Sequence, residues 1–134
     1  MSELASGSPA QHDTAARVVQ ALTTLEPGDG LFAPGAVTWH SFDEIEAPTV
    51  PDTLESVRAI RAVVPDFGMD EVRTSPVVDG VSWARYAITG TLPDGARFRA
   101  PAALAVHVDG SGQVTRIEEY VDTAQLAGLF AALS

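Results

Sequence analysis

A change of hydrophobic period after Pro65 is the strongest constraint on the fold. Beyond it, four segments alternate apolar and polar residues as strands do, and "DG", "PDG" and "DGSG" separate them. The four segments are "GMDEVRTSPVV", "VSWARYAITGTL", "ARFRAPAALAVHV" and "QVTRIEEYV". Antiparallel strands can be joined by such short turns, so the pattern predicts a four-stranded antiparallel meander.

Helical periods flank a further strand before the meander and follow its last strand. The predicted helices are "DTAARVVQALTTLE", "TLESVRAIRAVV" and "TAQLAGLFAAL", with Asp13, Asp52 and Asp122 as their N-caps. "GLFAPGA" is predicted as a single turn, "AVTWHSF" as a strand and "DEIEAPTVPD" as a loop. This order predicts an α+β fold, in which a strongly curved, mostly antiparallel sheet wraps around helices as a cone-shaped α+β barrel.

The length of 134 residues suits one domain. Residues 1–12, rich in Ser, Ala, Gly and Pro, are predicted to be a flexible tail, and residues 13–134 form the domain. The chain contains no cysteine and no lysine, which excludes disulfides, thiolate metal sites and Schiff-base chemistry.

Charge and hydropathy restrict the partners. The net charge of −10 argues against nucleic-acid binding, which needs a basic surface to contact phosphates. The sequence shows no apolar run long enough to cross a membrane and no secretory signal at its start, so we expect a cytoplasmic protein. The three histidines, His12, His40 and His107, are dispersed and give no metal-site signature.

The segments "LFAPGAVTWHSF", "WARYAITGTLPDGARFRAPAALAVHV" and "VTRIEEYVD" resemble the nuclear transport factor 2-like superfamily. Within it, the chain is most similar to the SnoaL-like polyketide cyclases and limonene-epoxide-hydrolase-like proteins. The resemblance covers residues 13–133 and implies an internal pocket for a small apolar or polycyclic molecule, with no organic cofactor or metal. It also implies a homodimer.

The last predicted strand contains the first candidate catalytic residue. Side chains alternate across a strand, so Ile117, Glu119 and Val121 share one face and Glu118 and Tyr120 the other. A mostly apolar row with one acid is the pattern expected of a cavity wall. The resemblance gives Glu119 the position of a catalytic acid in the epoxide hydrolases. Asp122 is a helix cap, or alternatively the acid that some cyclases use near this strand end.

In the strand "VSWARYAITG", Trp83, Arg85, Ala87 and Thr89 share one face. By resemblance, Arg85 corresponds to the arginine of the epoxide hydrolases' Asp–Arg–Asp triad. The second acid would then fall at Ala87, and an alanine cannot activate water. The alternative interpretation of Arg85 is a buried arginine that neutralises Glu119.

In "AVTWHSF", the resemblance places His40 on the cavity side, where histidine is a plausible general base near neutral pH. The alternative is a hydrogen-bonded core histidine. The small residues of "RAPAALAV" suggest that the curved sheet encloses a cavity, although large helix side chains would also fill that space. The residues predicted to contact a ligand are Leu22, Trp39, Trp83, Ala87, Phe98, Ile117 and Val121.

Three functions remain open on the sequence alone. The first is a SnoaL-like enzyme for cyclisation, isomerisation or epoxide opening, with Glu119 or Asp122 moving a proton and His40 assisting. The second is a ligand-binding protein with the same cavity and no chemistry. The third is a dimerisation module that uses the opposite sheet face.

Overall fold

The structure is a computed structural model that describes residues 13–44 and 46–134, with the backbone alone for residues 46–48. The predicted tail, residues 1–12, lies outside the described residues. The helices are α1 (Thr14–Thr24), α2 (Val50–Val63) and α3 (Ala127–Leu133), with a 3-10 turn at Thr123–Leu126 before α3. The strands are β1 (Phe32–His40), β2 (Glu46–Thr49), β3 (Gly68–Thr74), β4 (Val81–Thr91), β5 (Arg97–Val108) and β6 (Val114–Val121).

The described strands form one mixed sheet in the order β2-β1-β6-β5-β4-β3. All neighbours are antiparallel except β1 and β6, which run parallel. The meander β3 to β6 follows the turn signals, and the α+β fold class predicted from the sequence is confirmed. The parallel pair brings the first long strand beside the last one.

Irregular pairing accompanies the bending of the sheet. The pairing register shifts in β1 between Phe32 and Val37, and in β3 between Asp70 and Arg73. Gly35 has a φ of 77° and Glu71 a φ of 56°, both in the left-handed region. Such bulges bend a strand and increase its twist, which lets the sheet curve around helices.

Helix α1 fills the concave side of the sheet. Its buried residues include Val18, Val19 and Leu22, and they belong to one apolar cluster with Leu104 and Val106 of β5. A helix with one apolar stripe is stabilised mainly by such packing. Helix α1 therefore shields this part of the core from solvent, and Val18 is fully buried.

Some element boundaries differ from the sequence prediction. The segment predicted as a turn belongs to β1, which starts at Phe32, and part of the predicted loop forms β2. Helix α2 starts at Val50 with Thr49 as its N-cap, so Asp52 lies in its first turn and accepts a hydrogen bond from the Thr49 hydroxyl. None of the described helices is both long and apolar enough to cross a membrane.

Candidate functional site

A cavity of about 170 Å³ lies between the concave face of the sheet and helices α1 and α2. Most of its wall is apolar, from Leu22, Val57, Ile60, Phe67, Met69, Ile88, Leu104 and Ile117. Its other lining residues are Thr38, Trp39, His40, Thr53, Ser56 and Glu119. A largely apolar pocket with a few polar groups is the usual form of a small-molecule site.

Glu119 is the one carboxylate among the described residues that line this cavity. In the parallel pair of β1 and β6 it lies directly beside His40, and its Oε1 is 3.7 Å from His40 Nε2. Its Oε2 accepts a hydrogen bond of 2.5 Å from the hydroxyl of Tyr86, on β4. The Glu119 side chain is 17% exposed and that of His40 26%, so both groups are accessible from the solvent side of the cavity.

Tyr86 is the buried partner in this group. Burial raises the pKa of Tyr86 well above the usual value, and the charge of Glu119 and its hydrogen bond raise it further. The phenol therefore stays protonated at neutral pH and acts as a donor to the carboxylate. This bond fixes one oxygen of Glu119 and leaves the other directed towards His40.

A second polar region lies where α2 faces β1, two residues along the strand from His40. The hydroxyls of Thr38 and Thr53 are 2.9 Å apart, and the Ser56 hydroxyl donates a 3.2 Å hydrogen bond to the Asp52 carbonyl. Thr38 is buried, whereas Ser56 is exposed and marks the side on which the cavity opens. A bound molecule would thus meet hydroxyl groups as well as the carboxylate of Glu119 and the imidazole of His40.

No protein-family model matches the sequence. No curated protein matches it either. Solved structures do match. A loop-truncation variant of IdmH is 21% identical, with a TM-score of 0.65 over 91% of this chain and 98% of that one. A protein assigned to the SnoaL-like polyketide cyclases, from Shewanella denitrificans OS-217, is 10% identical, with a TM-score of 0.68 over 93% and 99%.

A third match is a hypothetical protein with a ketosteroid isomerase-like fold from Catenulispora acidiphila DSM 44928, solved in complex with trimethylamine. It is 13% identical, with a TM-score of 0.61 over 92% of this chain and 95% of that one. The fold is that of the SnoaL-like and nuclear transport factor 2-like proteins. At these identities the likeness establishes the fold alone, so the chemistry has to be argued from the side chains.

In this SnoaL-like fold, the two adjacent acids of β6 have different surroundings. Glu118 lies on the outer face of the sheet, where Arg116 Nε donates to it at 2.8 Å and His107 Nε2 lies 2.9 Å away. The hydrogen bond from Arg116, and then that from His107, lower the pKa of Glu118. Glu118 is thus an ion-paired surface acid, whereas Glu119 faces the cavity.

The interpretation that placed Trp83, Arg85 and Ala87 at the cavity is wrong in its choice of strand face. Along β4, Ser82, Tyr86 and Ile88 are buried on the inner side, whereas Trp83 and Arg85 are exposed on the outer side. Ala87 is buried, but it does not line the cavity. Arg85 therefore neither assembles a triad with Glu119 nor neutralises it.

The remaining predicted residues also divide between the cavity and other places. Leu22 and Ile117 line the cavity, and Trp39 borders it although its ring packs against Tyr120 on the outer face. Phe98 packs against Gly90 at the far end of β4. Val121 is half-buried beside the core and does not line the cavity. Asp122 is exposed, and its Oδ1 accepts a 3.0 Å hydrogen bond from the backbone N–H of Ala124. This is the geometry of a helix cap.

Sequence reasoning missed Tyr86, although a usable signal was present. In β6 the apolar row was assigned to the cavity, and the same rule applied to β4 selects Ala84, Tyr86 and Ile88. The resemblance of Arg85 to a triad arginine favoured the other row instead. Among the described residues, no group of three or more acidic or histidine side chains is arranged to hold a metal ion.

Proposed function

We propose that this protein is a small enzyme that transfers a proton on a small, largely apolar molecule, with Glu119 as the general base and acid. The observation that carries the proposal is the position of the Glu119 carboxylate. It lies at the wall of an apolar cavity, between the buried phenol of Tyr86 and the imidazole of His40. A positioned carboxylate in such a pocket is suited to general acid–base catalysis.

Each side chain has a distinct role in the proposed step. The Oε1 of Glu119 removes a proton from a carbon next to a carbonyl group, and the C–H electrons move into an enolate. In a substrate whose enolate is conjugated with a carbon–carbon double bond, the same carboxyl group then returns the proton to the far carbon of the dienolate. The double bond shifts, and no atoms are gained or lost. Tyr86 holds the carboxylate in place, and His40 donates to the substrate oxygen.

The cavity size restricts the substrate. An apolar cavity of about 150 Å³ accommodates benzene, and the volume here is about 170 Å³. The space suits a molecule with a single ring or a short branched chain better than a polycyclic one. The polar lining residues of the cavity further favour a substrate that carries a carbonyl or hydroxyl group.

Isomerisation and ring closure are the reactions that fit this arrangement best. Both need a base close to an acidic C–H group and little else from the protein. Epoxide opening by an Asp–Arg–Asp triad has no support, because no arginine lines the cavity among the described residues. The names of structural neighbours include a polyketide cyclase and a ketosteroid isomerase-like fold, in keeping with carbon-acid chemistry.

Deuterium exchange tests the proposal with simple ketones in place of the natural substrate. Small cyclic ketones such as cyclohexanone are incubated with the protein in D₂O, and NMR measures loss of the protons next to the carbonyl. We expect the wild type to accelerate exchange and Glu119→Gln to lose about 10²–10⁴-fold of that acceleration. Glu118→Gln is the matched control and should retain it. Equal exchange in wild type and Glu119→Gln would contradict the proposal.

A non-catalytic binding protein is the second candidate, favoured by the lack of a second acid at the cavity in the described chain. In that case the same ketones would raise the melting temperature of the wild type, while exchange would stay at the uncatalysed rate.

We also propose that the protein is a homodimer. Trp39, Tyr120 and Trp83 form a row of rings on the outer face of the sheet, with centroids 5.4 Å and 6.3 Å apart. Trp83 is 46% exposed and Tyr120 41%. Exposed aromatic groups of this kind are common at protein interfaces. Analytical ultracentrifugation should give a dimer for the wild type and a weaker one for Trp83→Arg.

A further inference from the structure

The outer face of the sheet contains a groove of about 510 Å³ on the side away from the cavity. Three arginines from three neighbouring strands border it: Arg73 of β3, Arg85 of β4 and Arg99 of β5. The protein has only eight arginines, no lysine and a net charge of −10. A concentration of three cations at one place on such an acidic chain needs a physical explanation.

Two of these arginines lie directly opposite each other on neighbouring strands and have no ion-pair partner among the described residues. Arg73 and Arg85 are direct partners in the pairing of β3 and β4, and both are exposed. Within the described part of the chain, neither forms an ion pair with a carboxylate, whereas Arg99 forms one with Glu71. Like charges directly opposite each other destabilise a strand pair. The unliganded sheet therefore carries an unfavourable contact that a bound anion would relieve.

Small side chains on two strands and an irregular backbone on a third form the groove. Pro101 of β5 pairs with Ala87 of β4, and both side chains are small and lie between Arg85 and Arg99. On the other side, the bulge in β3 at Glu71 interrupts the regular pairing between Asp70 and Arg73. The result is a depression between guanidinium groups.

The charge at the groove favours binding of an anion, although the protein as a whole is acidic. Three arginines against the single carboxylate of Glu71 leave a net charge of +2 at the groove. Asp70, on the same strand, is held by a 3.0 Å hydrogen bond from the Thr89 hydroxyl and does not line it. The Debye length in physiological salt is about 8 Å, so more distant acids are largely screened.

We propose that this groove binds the oxyanion group, phosphate or carboxylate, of a small molecule, with Arg73 and Arg85 as its main ligands. Guanidinium groups present paired N–H donors in a fixed plane, which matches two oxygens of either group. Arg85 is then a binding residue of the outer face. The inference is independent of the function proposed for the cavity. It requires that a dimer formed through Tyr120 and Trp83 leave the groove at Arg73 and Arg85 open.

Thermal unfolding tests the site with inorganic phosphate and, separately, with succinate, at an ionic strength held constant with sodium chloride. We expect at least one of the two anions to raise the melting temperature of the wild type saturably, and the stronger one identifies the preferred oxyanion. Arg73→Gln and Arg85→Gln should each weaken that affinity about tenfold or more. Arg58→Gln is the matched control, because it removes the same charge from an exposed arginine of α2 that pairs with Glu55.

Three results would overturn the proposal. One is that neither anion stabilises the wild type beyond the chloride reference. Another is that phosphate and succinate stabilise Arg85→Gln or Arg73→Gln as strongly as the wild type, which is the general effect of excluded salts. The last is that Arg58→Gln loses the effect equally, since only the net charge would then matter.

Discussion

Two neighbouring glutamates show how strongly the role of a residue depends on the strand face it occupies. Glu118 and Glu119 are chemically identical and adjacent, yet one pairs with Arg116 and His107 and the other with Tyr86 and His40. A shift of one residue in register would exchange them. The apolar neighbour Ile117, on the same face as Glu119, is the sequence feature that distinguishes the two.

Tyr86→Phe tests the role of the phenol. The change removes the hydrogen bond to Oε2 of Glu119 without removing the ring, which is only 3% exposed. A hydrogen bond to a charged group contributes about 1.5–3 kcal/mol, so we expect a loss of that order in the free energy of unfolding, measured in urea. Ketone deuterium exchange should slow as well, because the carboxylate is no longer held.

Tyr120→Phe is the matched control for this prediction. It removes the same hydroxyl from a ring that is 41% exposed on the outer face. We expect little change in either stability or exchange. If Tyr86→Phe behaved like Tyr120→Phe in both measurements, the bond to Glu119 would have no role in positioning it.

At the scale of the elements, local signals were read from the sequence more reliably than distant ones. The turns "DG", "PDG" and "DGSG" separate strands in the structure, since each needs residues that tolerate tight turns. Strand β2 was missed because its residues "EAPT" lack a strand pattern. The parallel pairing of β1 with β6 was not predicted, because it joins segments far apart in the chain.

The hydrogen bonding at the start of the last helical segment identifies Asp122 as a helix cap and not as a catalytic acid. Its carboxylate accepts the Ala124 N–H and does not line the cavity. Loss of such a cap costs about 1 kcal/mol, so Asp122→Ala should lower the free energy of unfolding by that amount and leave deuterium exchange unchanged. Thermal unfolding and the exchange assay, run on one preparation, decide the matter. Loss of exchange in the folded variant would restore Asp122 as a catalytic candidate.

Gly90 of β4 is packed so closely against its neighbours that there is no room for a side chain. A Cβ at this position would lie 2.6 Å from Val64 Cγ1 and 2.8 Å from Phe98 Cζ. Overpacking of a tight site costs about 1–3 kcal/mol, so Gly90→Ala should lower the urea midpoint accordingly. Gly110→Ala is the control, because a Cβ there meets nothing within 4 Å. Equal midpoints for the two variants would show that the neighbours of Gly90 adjust freely.

For the molecule as a whole, the sequence predicted the curved sheet but not which face of β4 meets the cavity. The fold class followed from period, turns and helix caps, which are properties of short segments. The composition of the site depends on which face of each of three strands, β1, β4 and β6, is turned to the cavity. If the face of one strand is assigned wrongly, the wrong side chains are placed in the site. On β4 the wrong face was chosen, so Arg85 was predicted to line the site in place of its neighbour Tyr86.

A crystal structure of the protein soaked with phenol tests whether Glu119 serves a small-molecule site, because phenol fits the cavity and mimics an enol. We expect the ring between Leu22 and Leu104, with its oxygen about 3 Å from Glu119 or His40. An empty or collapsed cavity, with phenol bound only at the outer aromatic row, would contradict the claim that Glu119 serves a small-molecule site.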